Sequence, residues 1–126
     1  MALIVDKALG IHQYALQARV ERAKVLASNL ANVDTPGYLA RDVDFRASLQ
    51  RVARELDMQR GQAPMPQLDL AGELKYRVPM QPSADGNTSE LGVEQAQFAA
   101  NAMDFQTSLT FLNMKISGLR QAIEGQ

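Results

Sequence analysis

The sequence predicts a mainly α-helical protein: long N- and C-terminal helices packed as an antiparallel coiled-coil pair around an irregular middle. Three observations carry this. Apolar residues near both ends recur at alternating steps of four and three. All five prolines fall between Pro36 and Pro82, so both ends are free of helix breakers. At 126 residues the chain has room for one domain with a small core, and neither helical stripe can be left in water.

The N-terminal helix is expected over residues 1–33. Val5, Leu9, Gln13, Leu16, Val20, Ala23, Ala27 and Leu30 hold the register, with Gln13 as a polar exception. The small Ala23 and Ala27 would let a partner helix approach closely. Asn32 can take a left-handed C-cap conformation and Pro36 blocks continuation, so the helix should stop near Asn32.

A middle segment, residues 34–92, follows. Phe45, Leu49, Val52 and Leu56 mark a short amphipathic helix that Asp44 can cap. Arg46, Arg51 and Arg54 alternate with Asp42, Glu55 and Asp57, the pattern of a solvated face. Leu74, Tyr76 and Val78 alternate with Glu73, Lys75 and Arg77, the period of a half-buried strand. Leu68 and Leu70 can pair with it across Ala71-Gly72 as a small β-hairpin. Pro79, Pro82, Asp85 and Gly86 then form a loop.

The C-terminal helix, residues 93–126, has the clearest pattern. Phe98, Ala102, Phe105, Leu109, Leu112, Ile116, Leu119 and Ile123 form one seam. From Val93 to Ile123 it would be roughly 45 Å long. Gly92 is an acceptable N-cap, Glu94 suits the first turn, and Gly125 lies just past the end. Gly118 weakens the helix locally by about 1 kcal/mol relative to Ala. Two such helices still leave seam edges exposed. A polymer of helix pairs would cover them, and a short bundle with the middle as lid is the monomeric alternative.

Composition excludes several function classes. Hydrophobic residues make up 46% of the chain and charged ones 21%, with a formal net charge of −1, which supplies no field for nucleic acid or anionic lipid. Residues 1–60 carry nine Lys/Arg and seven Asp/Glu, and residues 61–126 carry four and seven, so the halves differ in sign. The chain has no Cys, hence no disulfide, zinc ribbon or thiol nucleophile, and this suits a protein threaded unfolded through a channel. Asp6 and Lys7 interrupt the N-terminal apolar run, so no cleaved signal peptide is expected, and no stretch approaches the length of a membrane span.

Catalytic constellations are missing. His12, the one histidine, reads as a helix residue beside the seam. Asp42 and Asp44 read as capping and turn residues rather than an acid–base pair. There is no phosphate loop, dinucleotide fingerprint or nucleophile elbow. Asn87-Thr88-Ser89 fits a glycosylation sequon, which without a signal peptide is coincidence. No enzymatic activity, cofactor or metal is expected.

One stretch has more turn chemistry than a linker needs: Ser28-Asn29-Leu30-Ala31-Asn32-Val33-Asp34-Thr35-Pro36-Gly37-Tyr38. Pro36 and Gly37 suit the central positions of a type II turn that Thr35 opens and Tyr38 closes. Asn29, Asn32 and Asp34 can hydrogen-bond exposed backbone groups at the helix end.

Continued as Ala40-Arg41-Asp42-Val43-Asp44-Phe45, this stretch resembles the signature of bacterial flagellar rod proteins, and specifically the proximal rod family FlgB. Asp85-Gly86-Asn87-Thr88, Leu112-Asn113-Met114-Lys115-Ile116 and Leu119-Arg120-Gln121-Ala122-Ile123 are similar to the same family. The Asn-rich turn is shared across axial rod and hook proteins; the Ala40–Phe45 continuation narrows the likeness. The middle, from about Met58 to Leu74, carries no match, and Ser89-Glu90-Leu91-Gly92 departs from the family's Val-Asp-Leu-Asp.

The resemblance implies a structural subunit of the flagellar basal body, in the shaft that transmits torque to the hook. It implies export by the flagellar type III apparatus without a cleaved signal peptide, and a place in the periplasmic rod. Other rod subunits, further copies of itself, and membrane-ring and rod-adaptor proteins would be its partners. The alternatives are the related proximal rod protein FlgC or another axial component, and, from another class, a cytoplasmic helical adaptor or secretion chaperone.

Overall fold

A computed structural model describes residues 2–59, 74–79, 81 and 83–125. In chain order the elements are α1 (Ala2–Ala31), β1 (Arg41–Val43), α2 (Phe45–Gln59), β2 (Leu74–Tyr76) and α3 (Leu91–Glu124). The protein is mainly α-helical, with two long helices packed together and a short middle helix.

The long helices run antiparallel. Asn29 meets Glu94, Arg22 meets Gln97, and Arg19 meets both Asn101 and Asp104. At 34 residues, α3 is about 50 Å long. It begins two residues earlier than the sequence suggested. Glu90, in an extended conformation, holds the N-cap position in place of Gly92 and makes no side-chain cap bond. At the far end Gly125 adopts φ 74° and its N–H returns to the Gln121 carbonyl at 2.9 Å, the C-cap the sequence promised.

Helix α2 starts as anticipated. Asp44 Oδ1 accepts from the Ala47 N–H at 3.1 Å, and the first turn closes from Ser48 N–H to the Asp44 carbonyl. Its Val52 is fully buried, while Phe45, Leu49 and Leu56 are half-buried.

The strand predicted around residues 74–78 is present at Leu74–Tyr76, and its partner among the described residues is β1. The pairs are Arg41 with Tyr76, Asp42 with Lys75 and Val43 with Leu74, antiparallel. Leu68 and Leu70, the expected hairpin partners, lie outside the described residues. The pairing sets Leu74 beside Val43, and both reach the small core with Ala18, Val25 and Phe45.

Within the single chain, burial on α1 falls at other positions than the heptad. The heptad residues Leu9, Leu16 and Leu30 are half-buried and Val20 is 43% exposed. The buried residues described in α1 are Gly10, Tyr14, Ala18, Leu26 and Asn29, none of them in the heptad set. Small Gly10 and Ala18 alternate there with the larger Tyr14, Leu26 and Asn29.

Candidate functional site: a polar clamp and an open helix seam

Two regions stand out. The first joins the end of α1 to the start of α3. Gly37 has φ 74°, and the Tyr38 N–H donates to the Thr35 carbonyl at 3.3 Å, the geometry of a type II turn. The turn is tied to a segment fifty residues on. The Gly37 N–H donates to the Asp85 carbonyl and the Thr88 N–H to the Tyr38 carbonyl, each at 2.9 Å.

Asn87 is the centre of this tie. Its Nδ2 points at three carbonyls, those of Asn32 (2.9 Å), Val33 (2.9 Å) and Thr35 (2.8 Å). All three belong to the turn just past the end of α1. Its Oδ1 accepts from the Ser89 N–H, and the Ser89 hydroxyl donates to the Asn29 carbonyl at 2.8 Å. Thr88 Oγ1 accepts from the Ala40 N–H. The apparent sequon is therefore a helix clamp.

Asn29 has no exposed surface and uses both ends of its amide. Nδ2 donates to the Arg41 carbonyl at 2.6 Å and to Glu94 at 3.1 Å; Oδ1 accepts from the Arg41 N–H and the Tyr38 hydroxyl. Asn32 caps its own helix, donating to the Ser28 carbonyl and accepting from Thr35. Asp34 and Pro36 stand exposed, and the carbonyls near Asp34 accept from Asn87 instead.

Four charges complete the clamp, and periodicity did not reveal them. Arg22 forks onto Asp42 at 2.9 and 3.1 Å and reaches Gln97 at 2.8 Å. Arg77 bridges Asp42, at 3.0 Å, and the fully buried Glu94. Burial pushes the Asp42 carboxyl up, but Arg22, the Val43 N–H and Arg77 outweigh it and hold it below its ordinary value. Burial likewise lowers Arg77, and Glu94 with Asp42 reverses that to a net rise. Asp42 is thus a bridge rather than a turn residue. Asn29 within a helix, and Glu94 beside an apolar seam, were the signals available.

The second region is the seam along α3. Among the described residues of this helix only Glu94 and Asn101 are buried. Phe105, Leu109, Leu112 and Leu119 are half-buried, whereas Phe98 is 39%, Ile116 45% and Ile123 65% exposed. From Asn113 to Glu124 every described residue but Leu119 is exposed. Where the helices meet, Val20 and Ala23 face Phe98, Ala102 and Phe105 across an open groove of about 400 Å³. Arg19 flanks it, paired with Asp104 at 3.2 Å and stacked 3.6 Å over the Phe45 ring. Burial pulls the Arg19 guanidinium down, with Asp104 opposing and Arg22 assisting.

Among the described residues no group of three His, Cys, Asp or Glu side chains could hold a metal ion, and no helix is long and apolar enough to cross a membrane. A polar clamp that fixes two helices, with an apolar seam left open beside it, is the arrangement of a building block. Comparison with known proteins agrees. The flagella basal body rod protein family matches residues 9–38, most of α1 and the turn that follows it.

The likeness extends over the whole chain. It is 45% identical to the flagellar basal body rod protein FlgB of Aeromonas hydrophila, covering 100% of this chain and 99% of that one. The FlgB of Cereibacter sphaeroides is 46% identical over 94% of both chains, and that of Escherichia coli K12 40% over 95% of both. The chain belongs to the FlgB family of flagellar basal-body rod proteins. It is a structural subunit of the proximal rod, part of the flagellum's axial shaft.

Proposed function

We propose that the α1–α3 pair is the element by which this subunit assembles, and that the clamp sets its geometry. The whole chain acts as one domain, with residues 1–33 and 93–126 as the two arms of a coiled-coil layer. Neighbouring subunits cover the seam of Leu9, Leu16, Val20, Leu30, Phe98, Phe105, Leu109, Leu112, Ile116, Leu119 and Ile123. The neighbours are other rod subunits and further copies of this chain, with membrane-ring and rod-adaptor proteins at the ends of the stack. The subunit reaches the periplasmic rod through the flagellar type III apparatus, without a cleaved signal peptide.

One observation carries this reading: none of the seam residues from Phe98 to Ile123 is buried in the single chain. Fully burying one Leu or Phe contributes roughly 1.5–3 kcal/mol, so a lateral neighbour gains several such increments. The turn of Asn29, Asn32, Asp34, Thr35, Pro36, Gly37 and Tyr38 contributes indirectly, by holding the start of α3 against the end of α1.

The test is incorporation into isolated basal bodies. Leu112→Asp puts a charge into an apolar contact and should be synthesised but absent from basal bodies. The exposed neighbour variant Asn113→Asp should be present. Equal incorporation of both would rule the seam out as the assembly element.

A further inference from the structure

The clamp holds a chemically reactive pair. Asp85-Gly86 is the one Asp-Gly step in the chain, and no Asn-Gly occurs. At such a step the following amide nitrogen can attack the aspartyl carboxyl, because glycine puts no Cβ in the way. The bond from Gly86 N to Asp85 Cγ forms, the Cγ–O bond breaks, and the carboxyl OH leaves with the amide proton as water. Water then adds to the other carbonyl of the five-membered succinimide. The product is an isoaspartyl link: the main chain runs through the former side chain, and a new α-carboxylate hangs free.

Both residues are exposed, yet the groups this reaction must move are all tied. The carbonyl of the Asp85–Gly86 peptide accepts from the Gly37 N–H at 2.9 Å, and its N–H donates to the Ser83 carbonyl at 3.2 Å. Ring closure consumes that N–H and swings the carbonyl into the ring, which breaks both bonds. The side chain is tied as well. Asp85 Oδ1 accepts from the Ser83 hydroxyl, and from the Asn87 N–H at 3.1 Å. These two donors hold the carboxyl below its ordinary value, in the anionic form whose oxygen is a poor leaving group.

We propose that Asp85-Gly86 is a latent isoaspartyl-forming site locked by the closed clamp, so that isomerisation marks only chains whose clamp is open. Reaction and clamp exclude one another. An isoaspartyl link adds one atom to the main chain just before Asn87, and Asn87 then loses its register with the carbonyls of Asn32, Val33 and Thr35. The freed α-carboxylate is the group that S-adenosylmethionine-dependent isoaspartyl methyltransferases esterify, and it stands at an exposed turn. Because the reaction passes through local opening, its rate in the folded chain reports how often the clamp opens.

The test warms the purified chain at neutral pH, folded in buffer and unfolded in urea. Isoaspartate is then counted by methyl transfer from labelled S-adenosylmethionine with an isoaspartyl methyltransferase. The expected result is a rate at least about tenfold higher in urea than in buffer. A smaller ratio, or no isoaspartate in urea, would overturn the proposal. Asp85→Glu, which disfavours the five-membered ring, should abolish the urea signal; a signal that survives would place the reaction elsewhere. Gly37→Val opens the clamp from the α1 side and leaves residues 83–87 as they are. It should raise the rate in buffer roughly threefold or more while leaving the rate in urea unchanged. An unchanged rate in buffer would show that the clamp is not the lock.

Discussion

The two ends of α3 live under opposite rules. Its first turns are held by Asn29, Arg22 and Arg77, with Glu94 wholly buried and every clamp contact specific in direction. Beyond Leu112 the helix carries apolar residues that touch little of their own chain, Ile116 and Ile123 among them. Hydrogen bonds and ion pairs fix an angle, whereas apolar burial accepts any surface of the right shape. The clamp thus makes one well-defined object, and on the proposed assembly the distal seam is the surface it offers to neighbours. Substitutions should separate the two, the first class changing monomer stability and the second changing assembly alone.

The largest loss is expected for Arg77→Met. It strips a buried carboxylate of its cation and leaves Asp42 with Arg22 only, costing about 3 kcal/mol in urea unfolding of the monomer. A cost below about 1 kcal/mol would place the strength of the clamp elsewhere. Asn87→Ala follows at about 2 kcal/mol, because three carbonyls of the turn after α1 lose one shared donor. Gly37→Val, forced to positive φ, should cost about 1–2 kcal/mol by the same measurement and reduce motility with the protein still made.

Acidification probes the clamp without a substitution. The Asp42 carboxyl titrates below its unfolded value of about 3.9, so its contribution is full above roughly pH 5. It is lost as pH falls through the depressed folded value, where Arg22 and Arg77 lose their shared anion. Asp42→Asn should flatten the dependence of stability on pH in that range, and an unchanged slope would contradict the ion-pair assignment. The smallest monomer effect, within about 0.5 kcal/mol, is expected for the exposed Ile116→Asp, although it should block assembly. If it unfolded the monomer instead, the contrast between the two ends of α3 would collapse.

The sequence disclosed what repeats and what turns. Alternating Leu, Ile and Phe located both long helices, Phe45, Leu49, Val52 and Leu56 located α2, and Pro36-Gly37 located the turn. It hid what joins them. The buried face of α1 is made of Gly10, Ala18 and Asn29 as much as Tyr14 and Leu26, and small or amide residues raise no hydrophobic period. Arg22, Asp42, Arg77 and Glu94 each look like solvated charges when read locally. Their pairing spans up to 35 positions between Asp42 and Arg77, a distance no spacing rule covers. The β1–β2 ladder escaped for the same reason, since its strands are three residues each and α2 intervenes.

The clamp also fixes an order of events. Asn87 satisfies carbonyls 52, 54 and 55 positions upstream, and Ser89 one 60 positions upstream. Closing loops of that length is entropically slow, and contacts so distant in sequence form late. On a growing chain, α1 and its turn are complete long before the residues that cap them exist. Until Asp85 to Ser89 arrive, the end of α1 and its turn have only their local bonds, such as Asn32 to the Ser28 carbonyl and Thr35 N–H to the Asn32 carbonyl, and lack the tie to α3. The fold is therefore fastened from its far end, as a strap is by the buckle reached last.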